Sequence, residues 1–583
     1  MNNLNLTVCT SEENVRAEVF PVSSENGIDI FRVNVTFPEN TAPSSVTVKW
    51  EEEFLNTLYT WAPSVGRNLA IRQWFGPTRN DSNFCIGAPI LTAIGAGGMN
   101  TATVSVSDVC TPIAITFAGK NSKRGENLAD YQVQFFSAPA DPIVNYTADI
   151  RIDRRTIPFY EAVMSVYPWW TEYGHAVPVC PPAAEDALYS TWYSCYQNPV
   201  GKDILADLKV AAEAGFRTVI LDDGWQFEGT EGCGYGKCGD WIPAKDKFPD
   251  FKAFTDGVHA LGMKLMVWFA VPFIGLKSKA YEMFKDKLLY TQEWLHCATL
   301  DPRYPDVRSY TKDVYKRFLK AYDIDGFKLD FIDAFRPGDE MAPFDPTVMD
   351  CDTVETAVKV LLEEIAAELD EIKPGLLYEY RQRYIGPAIN RFGNMLRVGD
   401  CAYDSLTNRI GMVNLRMMNY PLAVHSDMLC WSPKEEPKLC AKQLLNVLFC
   451  VPQISVFLAD ITEEQKKLLK HYLDYWTANR DILLHGEFCA RYPEYNYTYI
   501  SAEGADKVIA AVYADMPYTY TGKACDVHLN GNCDSLAFEN PTDKVLAGEI
   551  YDCFGNLVDT VAIAANSFVR LPVPETGMLA VRE

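Results

Sequence analysis

Two hydrophobic patterns divide this chain. From residue 188 to about 460, short apolar runs rich in Val, Ile and Leu alternate with longer segments whose apolar residues return every three or four positions. The runs read as strands buried on both faces, and the longer segments as amphipathic helices. The runs fall at 188–194, 216–223, 263–270, 325–331, 376–381, 394–400, 420–427 and 453–460. Helices are predicted over 202–214, 250–261, 306–322 and 353–371. A last helix opens at Thr462, with Gln465 three residues on as a capping box. Eight strands with helices after most of them fit a (β/α)8 barrel, an α/β fold. The alternative, a doubly wound open sheet, lacks a glycine-rich phosphate loop after its first strand.

The flanks follow a period of two. FRVNVTF (31–37), SSVTVKW (44–50), TATVSVS (101–107) and PIAITFA (112–118) are Val/Thr alternations bounded by Gly, Pro, Asn and Asp. They predict an N-terminal β-sandwich over 1–165, ahead of a barrel over 166–482. NYTYISA, DKVIAAVYAD and VLAGEIYDCFG predict a C-terminal antiparallel β domain over 483–583.

Composition narrows the function. Of 583 residues 48% are hydrophobic, which excludes a disordered or fibrous chain. The net charge of −24 argues against nucleic acid and anionic membranes as partners and leaves a neutral small molecule such as a sugar open. The longest apolar run, Leu265 to Leu276, is fenced by Lys264 and Lys277 and is shorter than the roughly 20 residues a membrane span needs. The N-terminus has neither a basic start nor an apolar core, so the expected location is cytoplasmic. The 17 cysteines are odd in number and scattered, as for reduced thiols. Cys233 and Cys238 form a zinc half-site or a loop disulfide; without a matching second pair, no metal or other cofactor is expected. A homo-oligomer remains open.

Barrel active sites lie at the C-terminal ends of the strands, and here those ends are charged. Asp222 and Asp223 close the second run, Lys328 and Asp330 the fourth, Glu379 and Arg381 the fifth. Asp400, His425 with Asp427, and Asp460 close the last three. Period-two alternation puts Lys328 and Asp330 on one face, inward, and Phe327, Leu329 and Phe331 against the helices. An ammonium beside Asp330 would keep it ionised, as a nucleophile must be. The plainer readings are that Asp460 and Asp404 cap helices, Glu379 and Arg381 form an ion pair, and His425 sits hydrogen-bonded in the core. Trp192, Trp225, Trp241 and Trp268 gather on the same rim. Acids with tryptophans, few histidines and no cofactor motif suggest carbohydrate chemistry.

VILDDGW (219–225), GDW (239–241) with a proline after it, HALGMKLMVWF (259–269) and LDPRYPDVRSYTKDVYKRFL (300–319) leading into DGFKLDF resemble the melibiase-type glycoside hydrolases, family 36, in sequence and order. The resemblance covers about 190–430 and implies a retaining α-glycosidase, with α-galactosidase as the leading activity. By that resemblance Asp330 matches the nucleophile, Asp400 the acid/base, and Asp222 and Asp223 the pair holding the galactose 4- and 6-hydroxyls. Trp192, Trp241, Trp268, Lys328 and Arg397 match or neighbour sugar-contacting positions, and Arg381 joins them as a substrate-binding residue. Asp427 competes with Asp400 for the acid/base role. A retaining mechanism needs the two carboxyls roughly 5 to 5.5 Å apart and a raised pKa at the acid. Phe331 and Ile332 follow Asp330 where the family has Met or Cys and then Asn, and Glu379 to Tyr384 replace its Cys-Ser-Gly-rich segment. That keeps open an α-N-acetylgalactosaminidase or other α-hexosidase, a raffinose-synthase-like transglycosylase, and an inactive carbohydrate-binding protein.

Overall fold

The computed structural model describes residues 4–53, 56–70, 78–121, 127–175, 179–229, 234–418, 420–531 and 533–582. Cys233 lies outside them. The N-terminal strands pair into a five-stranded and a six-stranded antiparallel sheet. Their inner faces are the alternate residues of the period-two runs: Val33, Val35 and Phe37 from one sheet meet Val46, Val48, Ile115 and Phe117 from the other. At the other end, a seven-stranded and a three-stranded sheet enclose a second apolar core around Val508, Val527, Phe538 and Leu579.

Between them stand eight parallel strands: β1 (Leu188–Ser190), β2 (Thr218–Leu221), β3 (Lys264–Ala270), β4 (Gly326–Asp330), β5 (Leu377–Arg381), β6 (Met395–Arg397), β7 (Ala423–His425) and β8 (Gln453–Ile454). The spatial order runs β7-β6-β5-β4-β3-β2-β1-β8. Val451 N donates to Val424 O at 2.8 Å and Ser426 N to Val451 O at 3.0 Å, which brings the two end strands together into a nearly closed barrel. Helices α1 (Gly201–Ala214), α2 (Phe251–Ala260), α3 (Pro305–Tyr322), α4 (Val354–Ile372), α5 (Ser405–Met417), α6 (Pro437–Asn446) and α7 (Glu463–His485) form the outer layer. Phe327 packs outward on Phe269, Tyr315 and Tyr378, as alternation predicts. Thr462 opens α7 with the capping box formed, and Asp404 caps α5 by accepting from Thr407 N at 3.0 Å.

Several expectations need correction. β1 stops at Ser190 because Trp192–Cys195 winds into a helical turn, so Trp192 sits after the strand. β8 keeps only two residues of its run, and Asp460 is exposed in the turn beyond, where Thr462 takes the capping role. Phe331 turns left-handed (φ 63°) and leaves the helix side for the rim, against Phe273 and Tyr235. The apolar run after Lys264 contains two strands, β3 and Phe273–Gly275; the second joins Leu288–Gln292 and Cys297–Leu300 in a small antiparallel sheet inserted before β4.

The sandwich also braces the barrel mouth. Trp61 Nε1 donates to Asn414 Oδ1 at 2.8 Å, Asn414 Nδ2 to Val65 O at 2.8 Å, and Gly87 N to Arg383 O at 2.9 Å. These bonds tie Trp61, Val65 and Gly87 to both sides of the 383–414 stretch that carries Asp400.

Gly326 opens β4, four residues before Asp330. A Cβ there would lie 2.3 Å from the Leu377 carbonyl oxygen, inside the β4–β5 ladder. Gly326→Ala is therefore expected to destabilise by about 3 kcal/mol or more and to lower the thermal midpoint by several degrees in circular dichroism. Gly66→Ala, where a Cβ meets nothing within 4 Å, is expected to leave the midpoint unchanged.

Candidate active site

Strand register assembles the barrel lumen. Trp268 stands opposite Lys328, Lys328 opposite Glu379, Arg381 opposite Arg397, and Arg397 opposite His425. Residues in register on parallel strands project to the same face, so these side chains share the lumen. The result is a polar barrel interior rather than one filled with aliphatic side chains.

Asp330, at the C-terminal end of β4, is clamped on both carboxylate oxygens. Its Oδ1 accepts from Arg381 Nε at 2.7 Å and from Phe331 N at 2.8 Å; its Oδ2 accepts from Trp268 Nε1 at 3.0 Å. Burial pushes its pKa up, but the charges of Arg381 and Lys328 and the Trp268 and Arg381 hydrogen bonds outweigh that and hold it well below the usual carboxylate range. The direct cation is Arg381, not Lys328 as alternation suggested: Lys328 Nζ instead donates to Asp222 Oδ2 at 2.6 Å. Nor do Glu379 and Arg381 pair with each other. The Arg381 guanidinium lies over the Phe331 and Tyr384 rings, 5.4 Å from each centroid.

Arg397, 1% exposed, organises the other side. It donates to Asp400 Oδ1 from Nη2 at 2.8 Å, contacts Asp427 Oδ1 through Nη1, and lies 3.5 Å from Glu379 Oε1. Asp400 and Asp427 are not equivalent. The Asp400 side chain is 60% exposed at the mouth. Asp427 is fully buried behind Arg397, and its Oδ2 accepts from Tyr193 OH at 2.9 Å and Cys401 N at 2.7 Å. Burial raises the Asp427 pKa. The pKa of Asp400 is lowered: the loss of water around it pushes upward, but Arg397 and Lys328 prevail. The raised value expected of an acid at this position is thus not found. His425 takes the plainer reading, fully buried between Ala184 O at 2.7 Å and Gln453 at 3.2 Å, with burial pushing it down to about 4.

Asp222 and Asp223 follow β2. Asp223 is enclosed, with Oδ1 accepting from Gln226 Nε2 at 2.7 Å and Oδ2 from Gln197 Nε2 at 2.5 Å; burial pushes its pKa up to about 6. The glycine of Asp-Asp-Gly-Trp is required twice. Gly224 has φ 106°, and a Cβ there would lie 2.5 Å from the Gln197 carbonyl. Among the tryptophans, Trp225 is core, enclosed by Trp241, Phe251, Phe269 and Phe318, whereas Trp268 reaches the site through its N–H. Trp241 packs on Trp268 at 6.0 Å. Trp192 lies half-buried at the rim. Among the described residues no group of three or more His, Cys, Asp and Glu side chains is disposed to hold a metal.

Residues 183–350 match the melibiase family model. That stretch of the barrel is similar to the melibiase family. Over 148 residues the chain is 26% identical to the α-galactosidase Mel36A of Lactobacillus acidophilus, covering 25% of this chain and 20% of that one. Over 149 residues it is 26% identical to the α-galactosidase AgaA of Geobacillus stearothermophilus, covering 24% and 20%. The matched segments thus span about a fifth of the length of these curated relatives. The fold extends further: AgaA in complex with raffinose superposes with a TM-score of 0.67 at 14% identity, covering 97% of this chain and 81% of that one. The α-galactosidase from Lactobacillus brevis gives 0.65 at 12% identity, covering 100% and 82%.

Within this barrel, sequence reasoning missed Gln197, Gln226 and Tyr193, whereas Tyr384 falls in the 379–384 segment it had set apart. Gln226 follows the Asp-Asp-Gly-Trp run directly and was within reach of a local search. Tyr193 and Gln197 both enter from the turn after β1, and nothing in their spacing marks them. The enclosure of Asp223 has a testable consequence. Its folded pKa is above the unfolded value, so its contribution to stability is present below about pH 4 and lost as pH rises through about 6. Asp223→Asn is expected to gain on the wild type by about 3 kcal/mol between pH 4 and 7, read as the difference in unfolding midpoints across that range.

Proposed function

We propose that this chain is a retaining α-glycosidase that releases terminal α-linked galactose from oligosaccharides, with Asp330 as nucleophile and Asp400 as acid/base. The observation that carries this reading is the unequal treatment of two carboxylates on one rim. Asp330 is held anionic by Arg381 and Lys328, while Asp400 stands open at the mouth. Asp330 Oδ1 is taken by two strong donors and Oδ2 by one, so Oδ2 keeps a lone pair for the anomeric carbon. Attack there forms a glycosyl-enzyme while Asp400 protonates the departing oxygen; Asp400 then takes a proton from the incoming water. A sugar seated over Asp400 removes its water and pushes its pKa upward against Arg397, so the proton is acquired as substrate binds. Asp427 stays beneath as the anion that fixes Arg397. Asp222 and Asp223, with Lys328, offer hydroxyl partners at the bottom of the pocket.

The relatives' substrates support galactose: AgaA has been seen with raffinose and with stachyose. No disulfide joins the described cysteines, and no described helix is long and apolar enough to cross a membrane. With the scattered, odd-numbered thiols, this favours the cytoplasm as the working compartment.

A panel of nitrophenyl α-glycosides tests the reading. Turnover of the galactoside is expected, with Asp330→Asn reducing kcat by about 10⁴-fold or more on every substrate. Asp400→Ala is expected to lose about 10²-fold and to be rescued by azide, yielding the α-galactosyl azide that a retaining enzyme must give. Rescue of Asp427→Ala instead would move the acid/base role to Asp427. Activity confined to another α-hexoside would keep the mechanism and assign the choice of sugar to Arg381 and Tyr384, which adjoin the nucleophile.

A further inference from the structure

Three aromatic side chains meet where the turn after β1 approaches the loop that follows Asp400. Trp192 and Tyr196 belong to the turn after β1, and their rings meet edge to face at 5.6 Å. Tyr403 lies three residues beyond Asp400, and its hydroxyl faces Cys430 and Tyr196 across the two loops. Two features set Tyr196 and Tyr403 apart from packing residues. They are 51% and 69% exposed, although an aromatic ring gains by burial. Both also have positive φ, 46° and 61°, which bulky side chains rarely adopt. Such strain persists only where the surroundings impose it. Here the Tyr196 N–H is held by Trp192 O at 2.6 Å, and Tyr403 is pinned between the Asp400 loop and the Asp404 cap.

A general acid stands on the leaving-group side of the bond it cleaves, because it must reach the departing oxygen. Rings exposed on the Asp400 side therefore face what is bonded to that oxygen. We infer that Trp192, Tyr196 and Tyr403 form a stacking platform for the leaving group, and that its occupant is a neutral hexose unit laid on the rings by its apolar face. This rests on the glycosidase reading above and extends it from the galactose pocket to the saccharide beyond. Arg397 is already paired with Asp400 and Arg67 with Asp404, so neither cation is free for an anionic occupant.

The test compares melibiose, which carries a sugar leaving group, with α-galactosyl fluoride, which carries none. Tyr196→Ala and Tyr403→Ala are each expected to lower the ratio of kcat/KM for melibiose over fluoride by roughly ten-fold. Tyr196→Phe and Tyr403→Phe are expected to keep it, because the ring does the stacking. An unchanged ratio in the alanine variants, or an equal fall in the phenylalanine variants, would overturn the platform. Failure of the wild type on both substrates would refute the galactosidase reading instead. The platform is then read by fluorescence titration of Asp330→Asn protein with melibiose and methyl α-galactoside. Added alanine substitutions are expected to weaken melibiose binding alone; equal weakening, or no binding of either sugar by the parent, overturns the inference.

Discussion

A guanidinium with almost no exposure, surrounded by three carboxylates, sets the geometry of the barrel mouth. Arg397 reaches Asp400, Asp427 and Glu379 at once. A charge buried this deeply is tolerable only with partners, and removing one partner from such a pair typically costs 3–5 kcal/mol. Each carboxylate is therefore held in place by the same requirement. Asp427 and Glu379 are consumed by it, and only Asp400 keeps a face to solvent. The network thus leaves Asp400 as the one carboxylate of the three that is open to solvent.

The same logic sorts the cations on the other half of the lumen. Lys328 goes to Asp222, which leaves Arg381 as the direct partner of Asp330. Arginine suits this position, since its planar group reaches the Asp330 carboxylate while lying over two rings. Trp268 completes the clamp from β3. Its indole touches the carboxylate by hydrogen bonding and the Tyr235 ring by stacking, so one side chain links the site to the inserted loops.

Rigidity reaches the site from outside the barrel. The N-terminal sandwich holds the 383–414 stretch through Trp61, Val65 and Gly87. The turn after β1 and the Asp-Asp-Gly-Trp turn are locked together at Gly224, where no side chain fits, and by Lys247, which donates to both Gln197 O and Gly224 O. Loops held this tightly present preformed donors and acceptors, which lowers the ordering cost of binding a neutral ligand.

Local pattern alone determined the barrel's alternation of strand and helix, the sandwich at one end and the β domain at the other, the capping of α7 at Thr462 and of α5 at Asp404, and the inward face of Lys328 and Asp330. These are readable because periodicity and capping depend on residues within a turn or two of each other. Which cation meets which carboxylate was decided only by the closed barrel. Lys328 and Asp330 are two apart in sequence, yet their ion-pair partners Asp222 and Arg381 come from other strands, placed by lateral register. The depressed pKa of Asp400, the withdrawal of Asp427 and the shortening of β1 and β8 follow from the same cause. They are set by distances across the lumen, between residues whose separation along the chain carries no information about them.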